Sequence, residues 1–337
     1  MAYTDIDDPS AYFQTTLYTG DGNGSGQAIT HGGNSDLQAD WIWIKNRTDA
    51  ENHSVTDSVR GANKGVLSNS SDAESTDNSN GYLSSFNSDG FTTANAGVYN
   101  NASSKNYVSW NWKETATAGF DIVSYTGSGS AKTVSHSLSA VPKMIIVKAR
   151  SSSGQWAVQH GSLGATKWTE LDSTAATDFS TTIWNNTEPT SSVFTVGTNA
   201  RTNANGTTYI AYVFAEKKGY SKFGSYVGNG NADGSFIWTG QKSAFVIVKR
   251  SVGGTGHWMM LDNKRSASGG FNVLGERIKA NATDAGATDV YMDFLASGFK
   301  FRTTTATSWN DSGSTYIFMS FAENPFTTST GVPATAR

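Results

Sequence analysis

Asp57-x-x-Arg60 and Asp262-x-x-Arg265 each set a carboxylate three residues before a guanidinium. Such a pair can grip sugar hydroxyls, or it can close on itself as an internal ion pair that pins a loop. His160 stands at the matching position between them, and an aspartate missing from that stretch favours the internal pair. The histidines point the same way. His31 and His136 occupy equivalent turns where Trp238 or Thr239 stands later, which suits a hydrogen-bonded turn better than catalysis. His53 aligns with Trp156 and Trp258, a position for aromatic packing, and His160 is expected in a small hydrogen-bonded network. No two histidines have zinc-site spacing and there is no H-E-x-x-H.

Other acidic groups are equally unspecific. Asp21-Gly22-Asn23-Gly24-Ser25 opens like a calcium loop, but Gly32 fills the twelfth position where an EF-hand needs glutamate, leaving only a looser loop-built site open. Asp72-Ala73-Glu74-Ser75-Thr76-Asp77 reads as a solvated loop. Asp289-Val290-Tyr291-Met292-Asp293 is the nearest approach to a glycosidase dyad, but no acid lies between its ends. There is no G-x-S-x-G elbow, P-loop or dinucleotide fingerprint. Zero cysteines remove disulfides, thiolate metal sites and cysteine nucleophiles together. No catalytic residue, metal or cofactor is therefore assigned.

The elements that must position these residues come in three copies. Tyr18-Thr19-Gly20-Asp21-Gly22 returns as Tyr125-Thr126-Gly127-Ser128-Gly129 and Tyr226-Val227-Gly228-Asn229-Gly230. The runs ending at Lys45, Lys148 and Lys249 follow, then aromatic segments ending at Glu114, Glu216 and Glu323. The period is near a hundred residues, longer than the roughly 20 to 50 of solenoid repeats, so each copy can form a small domain with a core. The expected units are 11–114, 120–216 and 223–326, joined by links of a few residues that favour a fixed arrangement. A polar tail, 327–337, is expected to run over the surface or dock on a neighbour.

Composition and patterning set the class. Charged residues make up 16%, below the roughly 25% of ordinary globular chains, and aromatics reach 12%. Val108, Trp110 and Trp112 share one parity, as do Ile210, Tyr212 and Phe214, and Ile317, Met319 and Phe321, which marks strands with one face in a core. The lysine-ended runs are apolar on both parities, as central strands covered on both sides would be. Turn dipeptides such as Asn80-Gly81, Asp89-Gly90 and Asn205-Gly206 separate the segments. The predicted class is all-β: three tandem antiparallel sandwiches of jelly-roll or lectin-like type.

Net charge is −3, without the basic clustering that nucleic-acid binding needs. No apolar stretch approaches the ~20 residues of a membrane helix, and the first eight residues lack signal-peptide character. Saccharide recognition suits a chain with 10 tryptophans and 13 tyrosines among many Asn, Ser and Thr. Trp41, Trp43, Trp110 and Trp112 fall in repeated strands and read as core. Trp184 and Trp309 lie in polar stretches without aligned aromatics and are the expected carbohydrate-binding residues.

The phrase from Phe120 to Gly127, then Val134-Ser135-His136-Ser137-Leu138, Val141 to Lys148 and Tyr209 to Glu216, resembles a repeat of uncharacterised structural proteins of tailed bacteriophages, especially marine ones. The resemblance covers nearly the whole chain and is clearest in the second copy. It implies a virion component made in the host cytoplasm, with a lectin-like sandwich fold and no catalytic residues to carry over. The leading expectation is a tail fibre or receptor-binding component, with other virion proteins and a host surface glycan as partners and a homo-oligomer, a trimer first, as its state. The alternative is a capsid decoration protein, favoured by a first repeat that starts close to Met1; a glycan hydrolase ranks below both.

Overall fold

Strand follows strand from Phe13 to Pro325, and the one α-helix among the described residues is the single turn Ala200–Asn203. The computed structural model describes residues 3–76, 78–265, 273–304 and 307–333. Its sheets are antiparallel, and one of them is long enough to curl into a nearly closed, barrel-like form.

The same four-strand order appears three times. In the first copy the opening strand Phe13–Thr19 pairs with the closing strand Asn106–Trp112, which pairs with the central strand Trp41–Asn46, which pairs with the flanking strand Ser54–Asp57. Phe120–Thr126, Thr208–Ala215, Pro142–Ala149 and Ala157–His160 repeat that order in the second copy. Ser221–Val227, Thr315–Pro325, Gln241–Val252 and Met259–Asp262 repeat it in the third. There the sheet continues through Val273–Lys279, Ala287–Leu295 and Gly298–Phe301 to Phe236–Trp238, making eight strands.

The double-sided apolar pattern of the central strands has a direct cause. Ile42 and Ile44, Ile145 and Val147, and Val246 and Val248 face outward into a separate core within each copy, beneath its outer strands. Trp41 and Trp43, Met144 and Ile146, and Phe245 and Ile247 face inward and merge into one core common to all three copies. Trp41 stacks on Tyr212 at 4.6 Å, Phe13 on Phe321 at 5.3 Å, and Phe214 meets Phe321 at 6.0 Å, so each pair of copies shares aromatic contacts. Burying one such side chain contributes about 2–3 kcal/mol, so the inner faces join the copies far more firmly than the short links do.

The ends are tied in as well. Thr4 donates its hydroxyl to the Lys218 carbonyl at 2.9 Å, and Asp7 accepts the Ser329 amide at 2.6 Å, which docks the tail hairpin against the amino-terminal segment of the same chain.

Candidate functional site

One set of polar groups repeated between copies holds a glycine-rich turn. Tyr18 stacks on Tyr107 at 5.1 Å, Tyr125 on Tyr209 at 5.2 Å and Tyr226 on Tyr316 at 5.1 Å. Their hydroxyls donate to the backbone carbonyls of Asn100, Thr202 and Trp309, and burial raises the ionisation range of all three opening-strand tyrosines. One buried asparagine per copy then clamps the turn. Asn101, Asn203 and Asn310 accept the amides of Asp21, Ser128 and Asn229 at 3.1, 2.8 and 3.1 Å. These asparagines were missed in the sequence, although each stands six residues before the closing tyrosine. The Asp21 carboxylate is occupied by the Asn23 amide and the Asn101 side chain, at 2.8 and 3.0 Å.

A second set of repeated groups sits where the copies meet. Trp156 of the second copy donates its indole N–H to the Leu67 carbonyl of the first at 2.9 Å, and Trp258 of the third donates to the Glu170 carbonyl of the second at 2.7 Å. His53 completes the cycle from the first copy to the third: its Nδ1 accepts from Trp43 at 2.8 Å, so its Nε2 carries the proton that the Lys279 carbonyl accepts at 3.0 Å. Three equivalent positions thus bond copy to copy around a closed ring. Lys148 and Lys249 are buried at the same seams. Lys148 donates to the Ser71 and Gly154 carbonyls at 2.9 and 2.6 Å, and Lys249 donates to the Gly256 carbonyl at 2.6 Å. Burial lowers Lys45 and Lys148 to about 8 and Lys249 to about 7.

Both Asp-x-x-Arg pairs are wholly buried ion pairs, and each accepts a donor from another copy. Tyr212 donates to Asp57 Oδ2 at 2.7 Å, and Trp110 donates to Asp262 Oδ2 at 2.9 Å. The third copy has Met319 at that donor position, which offers no N–H or O–H. The facing position in the second copy is His160, whose Nε2 lies 3.1 Å from the Phe318 carbonyl, and burial lowers this ring to about 4. Leu163 stands where the other copies have arginine and Met319 where they have a donor, so a carboxylate at 160 would be buried without either partner.

Several expected placements change. Trp184 and Trp309, expected on the surface, are 0% and 1% exposed, so neither forms an open stacking face. Trp184 packs in the outer core of the second copy, and Trp309 lies 4.4 Å from the Tyr291 ring in that of the third. Their polar neighbours form caps over these cores, which a count of local polarity mistakes for exposure. The stretch around Glu74 is not simply a solvated loop: Arg150 of the second copy holds Glu74 at 2.9 and 3.1 Å, and Arg60 lies 3.4 Å away. Asp77 lies outside the described residues. Asp293 is paired with Arg302 at 2.5 Å, and the Asp289 side chain lies outside the described residues. His31 bonds Thr16 at 2.8 Å and His136 lies 3.1 Å from the Thr190 carbonyl, both as turn histidines.

Two clefts are open among the described residues. A cleft of 560 Å³ follows the seam between the first and third copies, but the Gln14 amide on its wall is already taken by the Ser10 and Ser35 carbonyls and the Gly33 amide. A smaller cleft of 210 Å³ is lined by Tyr3, Glu216, Lys218, Lys222, Trp238, Gly240 and Phe326. Trp238 is 61% and Tyr3 60% exposed there. Lys222 Nζ stands 5.7 Å from the Trp238 ring and Lys218 Nζ 5.9 Å from the Tyr3 ring. The strand registers put Thr239 in the place of His31 and His136, and Trp238 in the exposed place of Thr30 and Ser135 just before it, so a tryptophan among small polar residues was the available signal.

A family model described as a domain of unknown function (DUF7483) matches residues 8–325, and the chain belongs to that family. The match runs through all three copies as one stretch. No curated protein and no solved structure matches the chain.

Proposed function

We propose that this chain is a non-enzymatic structural component of a tailed-bacteriophage virion, a tail fibre or receptor-binding component that contacts the host surface. In this reading, 11–114, 120–216 and 223–326 are three tandem sandwich repeats, and the protein works among other virion proteins as a homo-oligomer, with a trimer the first state to test. The observation that carries it is the use of the repeated polar groups. The turn asparagines, the seam lysines and the two buried ion pairs are engaged inside the fold or between copies. Such a body suits a rigid scaffold, with recognition left to surfaces on which the copies differ. The resemblance of the second copy to phage structural repeats supports the location.

Antibody against the chain, gold-labelled and imaged on intact virions of the phage that encodes it, tests the proposal. Label at the tail tip or along fibres is expected. Label spread over the shell faces would overturn the tail assignment in favour of capsid decoration, and unlabelled virions would overturn the virion location itself.

A further inference from the structure

We infer that the cleft between Tyr3 and Trp238 binds a single pyranose ring of a glycan, stacked on the Trp238 indole. The inference deepens the recognition role proposed above and gives it a site. Trp238 ends the strand Phe236–Trp238, at the outer edge of the eight-stranded sheet. Period-two alternation turns Ile237 inward to the third copy's outer core and leaves Phe236 and Trp238 facing out.

The indole is held in place. Gly240 has φ +75°, and a Cβ there would come within 3.0 Å of the Trp238 ring, so the ring lies against bare backbone that a larger residue would push away. Thr239 anchors the turn below by donating its hydroxyl to the Gln241 carbonyl at 2.8 Å. A fixed aromatic face loses little freedom on binding. The rim is polar: Lys222 is paired with Glu216 at 2.7 Å, and Lys218 lies beside Tyr3.

Lys222 Nζ sits over part of the indole, 5.7 Å from its centroid, and is paired there with Glu216, so a sugar would stack its C–H face on the exposed remainder of the ring while its hydroxyls bond the ammonium and carboxylate. The 210 Å³ space, lined on its far side by Tyr3 and Phe326, is on the scale of one ring. One such contact gives a dissociation constant of about a millimolar, and useful avidity would come from several chains on one particle.

Saturation-transfer-difference NMR on the full chain tests this with the methyl glycosides of glucose, galactose, N-acetylglucosamine and glucuronic acid. Transfer to at least one of them is expected, strongest at the C–H protons of one ring face. It should fall at least tenfold in Trp238→Ala, survive partly in Trp238→Phe, and be unchanged in Phe179→Ala, which removes an exposed aromatic side chain outside the cleft. No transfer to any of the four, or equal transfer in Trp238→Ala, overturns the assignment. The binding measurement needs no virion and the labelling needs no sugar, so the two proposals fail separately.

Discussion

Tyr212→Phe is the sharpest test of the closed ring. The phenol hydroxyl donates across copies to Asp57 Oδ2 at 2.7 Å and lies 3.2 Å from Arg60, while the ring stacks on Trp41 at 4.6 Å. Phenylalanine keeps the stack and removes only the hydrogen bond. All three residues are wholly buried, so water cannot replace the lost donor. A hydrogen bond to a charged group contributes about 1.5–3 kcal/mol, which sets the expected loss near 2 kcal/mol. Tyr18→Phe is the internal standard, because its buried hydroxyl donates to the neutral Asn100 carbonyl at 2.8 Å within one copy, and a bond of that kind contributes about 1 kcal/mol. Guanidinium unfolding of both variants, with intact protein as reference, measures the difference. The midpoint should fall about twice as far for Tyr212→Phe with the slope unchanged, and the Tyr212→Phe/Asp57→Asn double variant should show coupling above about 1 kcal/mol. Equal losses in the two tyrosine variants, or additive effects in the double variant, would refute the inter-copy bond as a source of stability.

Three further outcomes are expected. His160→Asp places a carboxylate opposite Met319 with Leu163 where the other copies have arginine, and a buried charge left uncompensated costs about 3–5 kcal/mol, so its thermal unfolding should move well below that of His160→Asn. Lys249 is lowered by burial to about 7 from 10.5, so between these values the unfolded chain holds more protons than the folded one and stability rises with pH; Lys249→Met should flatten that rise in unfolding midpoints taken from pH 7 to 10. Glu114 is raised to about 7 from 4.5, first by burial and then by its hydrogen bond with Asp121, so its contribution is complete below pH 4.5 and is lost as pH rises through 7; Glu114→Gln should remove that decline, and an unaltered pH profile would discount the contact.

The strand pattern was legible because it depends on near neighbours. The apolar runs on both parities ending at Lys45, Lys148 and Lys249 need only a local rule, and the structure covers those strands on both sides as that rule requires; the alternation at Val108, Trp110 and Trp112 marks a strand correctly but not its second covered face, where Ser109 and Asn111 are buried too. Turn glycines were legible for the same reason: Gly22, Gly129 and Gly230 have φ of 71°, 70° and 65°, a region that side chains disfavour. Exposure was not legible. Trp184 sits among Thr and Asn residues that cover a core from outside, whereas Trp238 follows an apolar residue and yet faces water, because it ends an edge strand.

The ring itself was hidden for a different reason. Comparing Asp57, His160 and Asp262 as one column shows a residue kept in two copies and lost in one, which looks like relaxed constraint. The physical constraint runs between columns and shifts by one copy: Asp57 answers to Tyr212, Asp262 to Trp110, and His160 to the copy that carries Met319. Aligned copies expose what each unit needs alone, while closure depends on which copy lies beside which. The same logic separates Trp238 from the scaffold. It stands at the edge-strand place held by Thr30 and Ser135, which is exposed in all three copies and which no seam or shared core requires to be aromatic.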